Sequence, residues 1–131
     1  MSGAFSGVVQ HRLDRAGEVW EDAKLLAGAK RWKSCVNRLY YSCFYAASAL
    51  LAAHEMSSRK HAGVLSLFNL HFVKPGIIAK EIAEIYNDLF DSRQESDYTD
   101  FAVFTEEQVA PQLGKVEIFI TTIKSIISQI P

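Results

Sequence analysis

Apolar residues recur at steps of three and four along almost the whole chain, the spacing of one face of an α-helix. A first helix is predicted from about Val8 to Ala29, with Leu13, Ala16, Trp20, Ala23 and Ala27 on its stripe. A short basic connector, GAKRWK, leads to a second helix from about Lys33 to Met56. That helix carries two adjacent stripes: Tyr40, Cys43, Ala47, Leu50 and His54, and beside them Asn37, Tyr41, Phe44, Ser48 and Leu51. Two apolar stripes require protein over most of the helix surface, so it is central to a bundle or shared with a second subunit. Ser57 and Ser58 offer an N-cap for a third helix from Lys60 to about Phe72, ended by Lys74-Pro75-Gly76. A fourth runs from about Ile77 towards Arg93, with Ile78, Ile82, Ile85 and Leu89 as its stripe. Thr105-Glu106-Glu107-Gln108 reads as an N-cap with acidic first-turn residues. It opens a last helix bearing Val116, Phe119, Ile120, Ile123, Ile127 and Ile130, whose start Pro111 and Gly114 are expected to fray or bend. No segment alternates as a strand does. The expectation is an all-α, up-and-down bundle of four to five helices, one domain over residues 1–131 with its core at about 8–128.

Composition narrows the function classes. The 131 residues are 49% hydrophobic and 22% charged, which suits a folded soluble domain rather than a disordered chain. A net charge of −1 gives no overall basic field, so any nucleic-acid site must be a local patch. No apolar run approaches the roughly 20 residues that span a bilayer. The first residues lack the basic and apolar regions of a signal peptide. Cys35 and Cys43 stand eight residues apart on one helix, roughly 12 Å along its axis, too far to bridge. Buried reduced thiols and a cytoplasmic location are expected.

Against this apolar background several polar side chains stand out. Arg93 lies one i,i+4 step beyond Leu89, and Asp97 one step further, so both extend a stripe that should be covered. A local ion pair at a fraying helix end would contribute only about 0.3–0.5 kcal/mol. The functional reading is an arginine that grips phosphate in bidentate fashion, oriented by Asp97 and flanked by the Tyr98 hydroxyl. On the second helix, Asn37, Arg38 and Tyr41 sit among aromatic residues, and a covered Asn37 calls for a partner on another helix or a ligand. Ser58-Arg59-Lys60-His61 places basic residues at a helix start, where backbone N–H groups can receive an anion. The four histidines and two cysteines show no metal-ligand spacing, and no Gly-rich phosphate loop follows a strand. Neither metal nor cofactor is expected.

In their order and spacing these segments resemble the HEPN domain. The resemblance rests on N-R-x-Y-Y-x-x-F-x-A-A-x-A-L-L (Asn37 to Leu51), K-H-x-G from Lys60, F-V-x-x-G from Phe72 to Gly76, and R-x-x-x-D-Y from Arg93 to Tyr98. It is similar above all to small stand-alone prokaryotic HEPN proteins paired with a minimal nucleotidyltransferase. The resemblance implies a helical bundle that forms a homodimer, with a polar cleft at or near the dimer interface. Many such proteins are metal-independent ribonucleases, and several are toxins whose arginine is followed four to six residues later by a histidine. Here Asp97, Tyr98, Thr99 and Asp100 fill that window, and groups of ordinary pKa near ~3.9 and ~10 shuttle protons poorly at neutral pH. The leading expectation is therefore a binding module for nucleotide, RNA phosphate or a nucleotidyltransferase partner. Its contacts would be Arg93, Asp97, Tyr98 and His61, with Asn37, Arg38, Tyr41 and Lys60. One alternative is a ribonuclease using Arg93 with His61 or with Asp97 and Tyr98. The other is a structural dimer with Arg93–Asp97 ion pairs across its interface.

Overall fold

The computed structural model describes residues 7–98 and 103–130, and the side chains of residues 95–98 lie outside that description. Among the described residues five α-helices follow one another: α1 (Gly7–Gly28), α2 (Trp32–Ala53), α3 (His61–Phe68), α4 (Lys80–Tyr98) and α5 (Glu106–Ser128). None is long and apolar enough to cross a membrane. The expected all-α bundle is what forms. α2 packs against each of the other four helices, which covers its first stripe from Tyr40 to Leu50, while the second stays half-buried at Asn37, Tyr41 and Phe44. Leu39, Tyr40, Cys43, Ala46, Ala47, Leu50 and Leu51 are all buried.

Several polar groups drawn into or beside this core are satisfied across helices. The Ser42 hydroxyl donates to the Ala16 carbonyl at 2.8 Å, and the Trp20 indole N–H reaches the Leu113 carbonyl at 2.9 Å. The Cys35 thiol faces the Ala23 carbonyl at 3.4 Å, and burial pushes that thiol up to about 11. Cys35 and Cys43 are both buried and unbridged. α1 and α2 end alike: Lys30 and Glu55 adopt left-handed φ of 60° and 61°. Arg31 and Met56 then return their N–H groups to the carbonyls of Leu26 and Leu51, closing both helices.

The chain departs from its sequence pattern in three places. The third helix does not run evenly from Lys60 to Phe72. After Phe68 it widens into a π-helical turn, Asn69–Val73, marked by the Lys74 N–H donating to the Asn69 carbonyl at 2.9 Å. Its N-cap is Lys60 rather than a serine, although the Lys60 N–H does reach the Ser58 hydroxyl at 3.2 Å. α4 begins at Lys80, because Gly76 at φ +85° turns the chain and the Ile78 N–H is held by the Phe72 carbonyl at 2.8 Å. Of the predicted stripe Ile78 and Leu89 are buried and Ile82 and Ile85 only half-buried, while Ala83 and Tyr86 are buried beside it, so the covered face is shifted towards them. α5, by contrast, starts as expected. Thr105 and Gln108 form a reciprocal capping box, and the helix runs on through Pro111.

Candidate functional site

Three elements converge on one group of rings. α2 supplies Tyr40, Tyr41 and Phe44 on consecutive helical steps, α3 supplies His61 at its first residue, and α4 supplies Arg93 in its last third. Tyr40 is fully buried and meets Tyr41 edge-to-face at 5.1 Å between centroids. The Arg93 guanidinium lies 5.3 Å from the Tyr40 ring centre and 5.5 Å from that of Tyr41. It also donates through Nη2 to the Tyr41 hydroxyl at 3.2 Å. A cation held against two aromatic faces, with a hydroxyl fixing its rotamer, is a preorganised anion receptor.

His61 reaches the same tyrosines from the other side. Its ring is 4.4 Å from Phe44, 5.5 Å edge-on from Tyr41 and 5.8 Å from Tyr40. Burial among these rings, and secondarily the charge of Arg93, hold the imidazole below the usual histidine range. It is therefore neutral at neutral pH and able to accept a proton. The K-H-x-G spacing has a steric reason. A Cβ on Gly63 would run into the Ser58 hydroxyl, which lies over the first turn of α3.

The remaining predicted residues are distributed unevenly. Arg38 stacks over the outer face of Tyr41 at 5.1 Å, adding a second guanidinium to the cluster. Asn37 does not reach another helix: its Oδ1 accepts from Arg38 Nε at 3.1 Å and Nη2 at 2.6 Å, so it serves to aim that arginine. Lys60 is exposed at the N-cap of α3, next to His61 in sequence. The side chains of Asp97 and Tyr98 lie outside the described residues, and so does the expected Arg93–Asp97 pair. Among the described residues no three His, Cys, Asp or Glu side chains group together as metal ligands would.

Two features escaped the sequence reading. Tyr40, treated there as one more core residue, is the hub on which Arg93, His61, Phe44 and Tyr86 all rest. The aromatic density of YYSCFY was the signal for it. The Tyr40 and Tyr86 hydroxyls are both buried without a hydrogen-bond partner, and burial raises both far above the ordinary tyrosine value.

Comparison with known proteins gives the family. A family model for the HEPN domain matches residues 9–126. A UPF0332 protein of Thermotoga maritima is 42% identical over 94% of this chain and 93% of its own length. A Methanocaldococcus jannaschii protein called "Putative toxin MJ0605" is 33% identical over 93% of this chain and 90% of its own. A second protein of that organism, "Putative toxin MJ0142", is 31% identical over 86% and 76% respectively.

Proposed function

The chain belongs to the HEPN domain family, and from that premise we propose that it is a toxin-type module that binds RNA or nucleotide phosphate through Arg93. The observation that carries this reading is the Arg93 guanidinium seated on Tyr40 and Tyr41 with Nη2 on the Tyr41 hydroxyl. A planar cation held in one orientation matches two phosphate oxygens at once. Arg38 over the outer face of Tyr41 adds charge on the approach side. The half-buried rings of Phe44 and Tyr41 give an adjacent base somewhere to stack. In this reading the module acts in the cytoplasm as a homodimer and is restrained by a nucleotidyltransferase partner. The names of the two archaeal relatives favour the toxin side of such a pair.

One observation favours a second reading, metal-independent RNA cleavage. His61 shares Tyr40 and Tyr41 with Arg93, so an arginine and a neutral imidazole come together although no histidine follows Arg93 in sequence. His61 would take the proton of a ribose 2′-hydroxyl as its oxygen attacks the adjacent phosphorus. The phosphorus–5′-oxygen bond then breaks, leaving a 2′,3′-cyclic phosphate, and the departing 5′-oxygen takes a proton from solvent water, to which the imidazolium formed on His61 returns the one it took. Arg93 would stabilise the charge that develops on the phosphate oxygens.

Both readings are tested with the full-length protein in EDTA. Binding is followed by fluorescence anisotropy on 2′-O-methyl RNA, which cannot be cut by this route, and cleavage is followed on unmodified RNA. Arg93→Ala should weaken binding about thirtyfold, the equivalent of roughly 2 kcal/mol for a charge-assisted contact. His61→Ala should weaken binding less than Arg93→Ala does and abolish cleavage, and the wild-type rate should fall as the pH drops through the depressed titration of His61. Binding unchanged in Arg93→Ala would refute the phosphate reading. Cleavage unchanged in His61→Ala would refute the role given to that imidazole.

A further inference from the structure

Asn69 and Asn87 face each other between the π-helical turn and α4, and each amide donates to the other. Asn69 Nδ2 reaches Asn87 Oδ1 at 3.0 Å, and Asn87 Nδ2 reaches Asn69 Oδ1 at 3.1 Å. Asn87 Nδ2 also donates to the Ala83 carbonyl of its own helix at 2.9 Å, which fixes its rotamer. The Asn69 carbonyl, in turn, accepts the Lys74 N–H that defines the π turn. The pair is half-buried, and its neighbours are rings: Phe68 meets Tyr86 at 5.4 Å, and both meet Phe119.

From this arrangement we propose that the Asn69–Asn87 clasp is a positioning device that sets α3 against α4 in the one register that brings His61 to Arg93. The inference rests on reading those two residues as the RNA site. Ring-on-ring contacts such as Phe68–Tyr86 keep much of their attraction under a small slide, because dispersion has little directionality. Two reciprocal amide hydrogen bonds do not, since a slide of an ångström or two breaks both. A polar pair inside an apolar seam is a recognised way to specify register. The lever arms suit the role. His61 precedes Asn69 by eight residues, about 12 Å of helix, and Arg93 follows Asn87 by six, about 9 Å. The two helices run in opposite directions about the clasp, so both arms extend the same way and meet at Tyr40 and Tyr41. The π turn widens the helix just where Asn69 must face α4.

The test separates register from stability. Asn69→Leu and Asn87→Leu each strand one amide and should lower the melting temperature. The double variant Asn69→Leu/Asn87→Leu removes both amides at nearly constant shape and should recover most of that loss. Two readouts are then taken on the double variant: binding of 2′-O-methyl RNA, and the titration of the His61 Cε1–H resonance by NMR. If the clasp sets register, binding falls about tenfold despite the recovered stability, as misplacement of a preorganised site would cause. The His61 midpoint also moves up towards the ordinary histidine range, as it leaves Tyr40, Tyr41, Phe44 and Arg93. A stable double variant with wild-type binding and wild-type His61 titration would overturn the proposal and leave the pair a packing feature. Should wild-type protein show no Arg93-dependent binding, the RNA reading fails alone, and the His61 titration still decides the clasp.

Discussion

α4 presents two polar regions that differ in kind. On one side Arg93 rests on the tyrosine rings of α2, with its guanidinium bonded to a hydroxyl and His61 close by. On the other, Glu81, Glu84 and Asp88 line a groove of about 350 Å³ against α5, with Ile85, Gln112 and Lys115. The three carboxylates are exposed and make no ion pair with a described residue. Water solvates such groups well, and their positions matter little to the fold. The ring side has given up that freedom. A partly desolvated cation needs partners to offset lost hydration, and aromatic faces and a hydroxyl are among those of Arg93. Of these two regions, the ring side is the one that holds its polar groups to fixed geometry, which is what recognition and catalysis require.

The largest effect is expected at Gly63. A methyl there collides with the Ser58 hydroxyl over the first turn of α3, the turn that His61 opens. Gly63→Ala should cost about 1–3 kcal/mol, the usual range for overpacking, and should alter the His61 NMR signals. Denaturant unfolding measures the first effect. A loss below about 0.5 kcal/mol would mean that Ser58 moves aside freely, and that the K-H-x-G spacing does not seat the histidine.

The helices were legible because burial imposes a period of 3.6 on apolar residues, and the α5 capping box because Thr105 and Gln108 stand at the spacing that box demands. Arg93 was legible as well, as a charge on an apolar stripe. What the periodicity could not give was rotation. The stripe of Ile78, Ile82, Ile85 and Leu89 caught two buried residues, Ile78 and Leu89, but missed the shift of the covered face towards Ala83 and Tyr86. Small and hydroxyl-bearing residues can be core as readily as isoleucine, and hydropathy ranks them lower. The π turn leaves no period of its own, so the third helix read as one regular piece. For the same reason Asn69 and Asn87 passed unnoticed, since a reciprocal pair 18 residues apart becomes visible only once two helices are placed side by side. The His61–Arg93 meeting is also a tertiary fact. A motif search that expects the imidazole a few residues after the arginine cannot find it on another helix.

Within the ring side, two neighbouring tyrosines sharpen the contrast. The Tyr41 hydroxyl accepts from Arg93, whereas the Tyr40 hydroxyl is buried with no partner. Tyr41→Phe should therefore destabilise by about 1 kcal/mol, the net contribution of a half-buried hydrogen bond to a charged group. Tyr40→Phe keeps the hub ring and deletes a desolvated hydroxyl, so stability should stay level or rise by up to about 1 kcal/mol. Opposite signs in paired thermal melts would support the assignment. Equal losses would show that the Tyr40 hydroxyl is satisfied in solution.

The smallest effects are expected on the groove side. Replacing Glu84 by Gln and Asp88 by Asn removes two charges while keeping shape, and exposed substitutions of this kind stay within about ±0.5 kcal/mol. The sign should favour the variant slightly. Glu81, Glu84 and Asp88 are like charges at helical spacing, so each loss relieves repulsion from the others. That gain should shrink as salt rises from 0.01 to 0.15 M, where the screening length drops from about 30 to about 8 Å. RNA binding at Arg93 should change little at the higher salt, where charges separated by more than about 8 Å are largely screened. A large, salt-independent loss of stability on neutralising the groove would mean that its carboxylates are held as firmly as Arg93. The two sides of α4 would then not differ in the way drawn here.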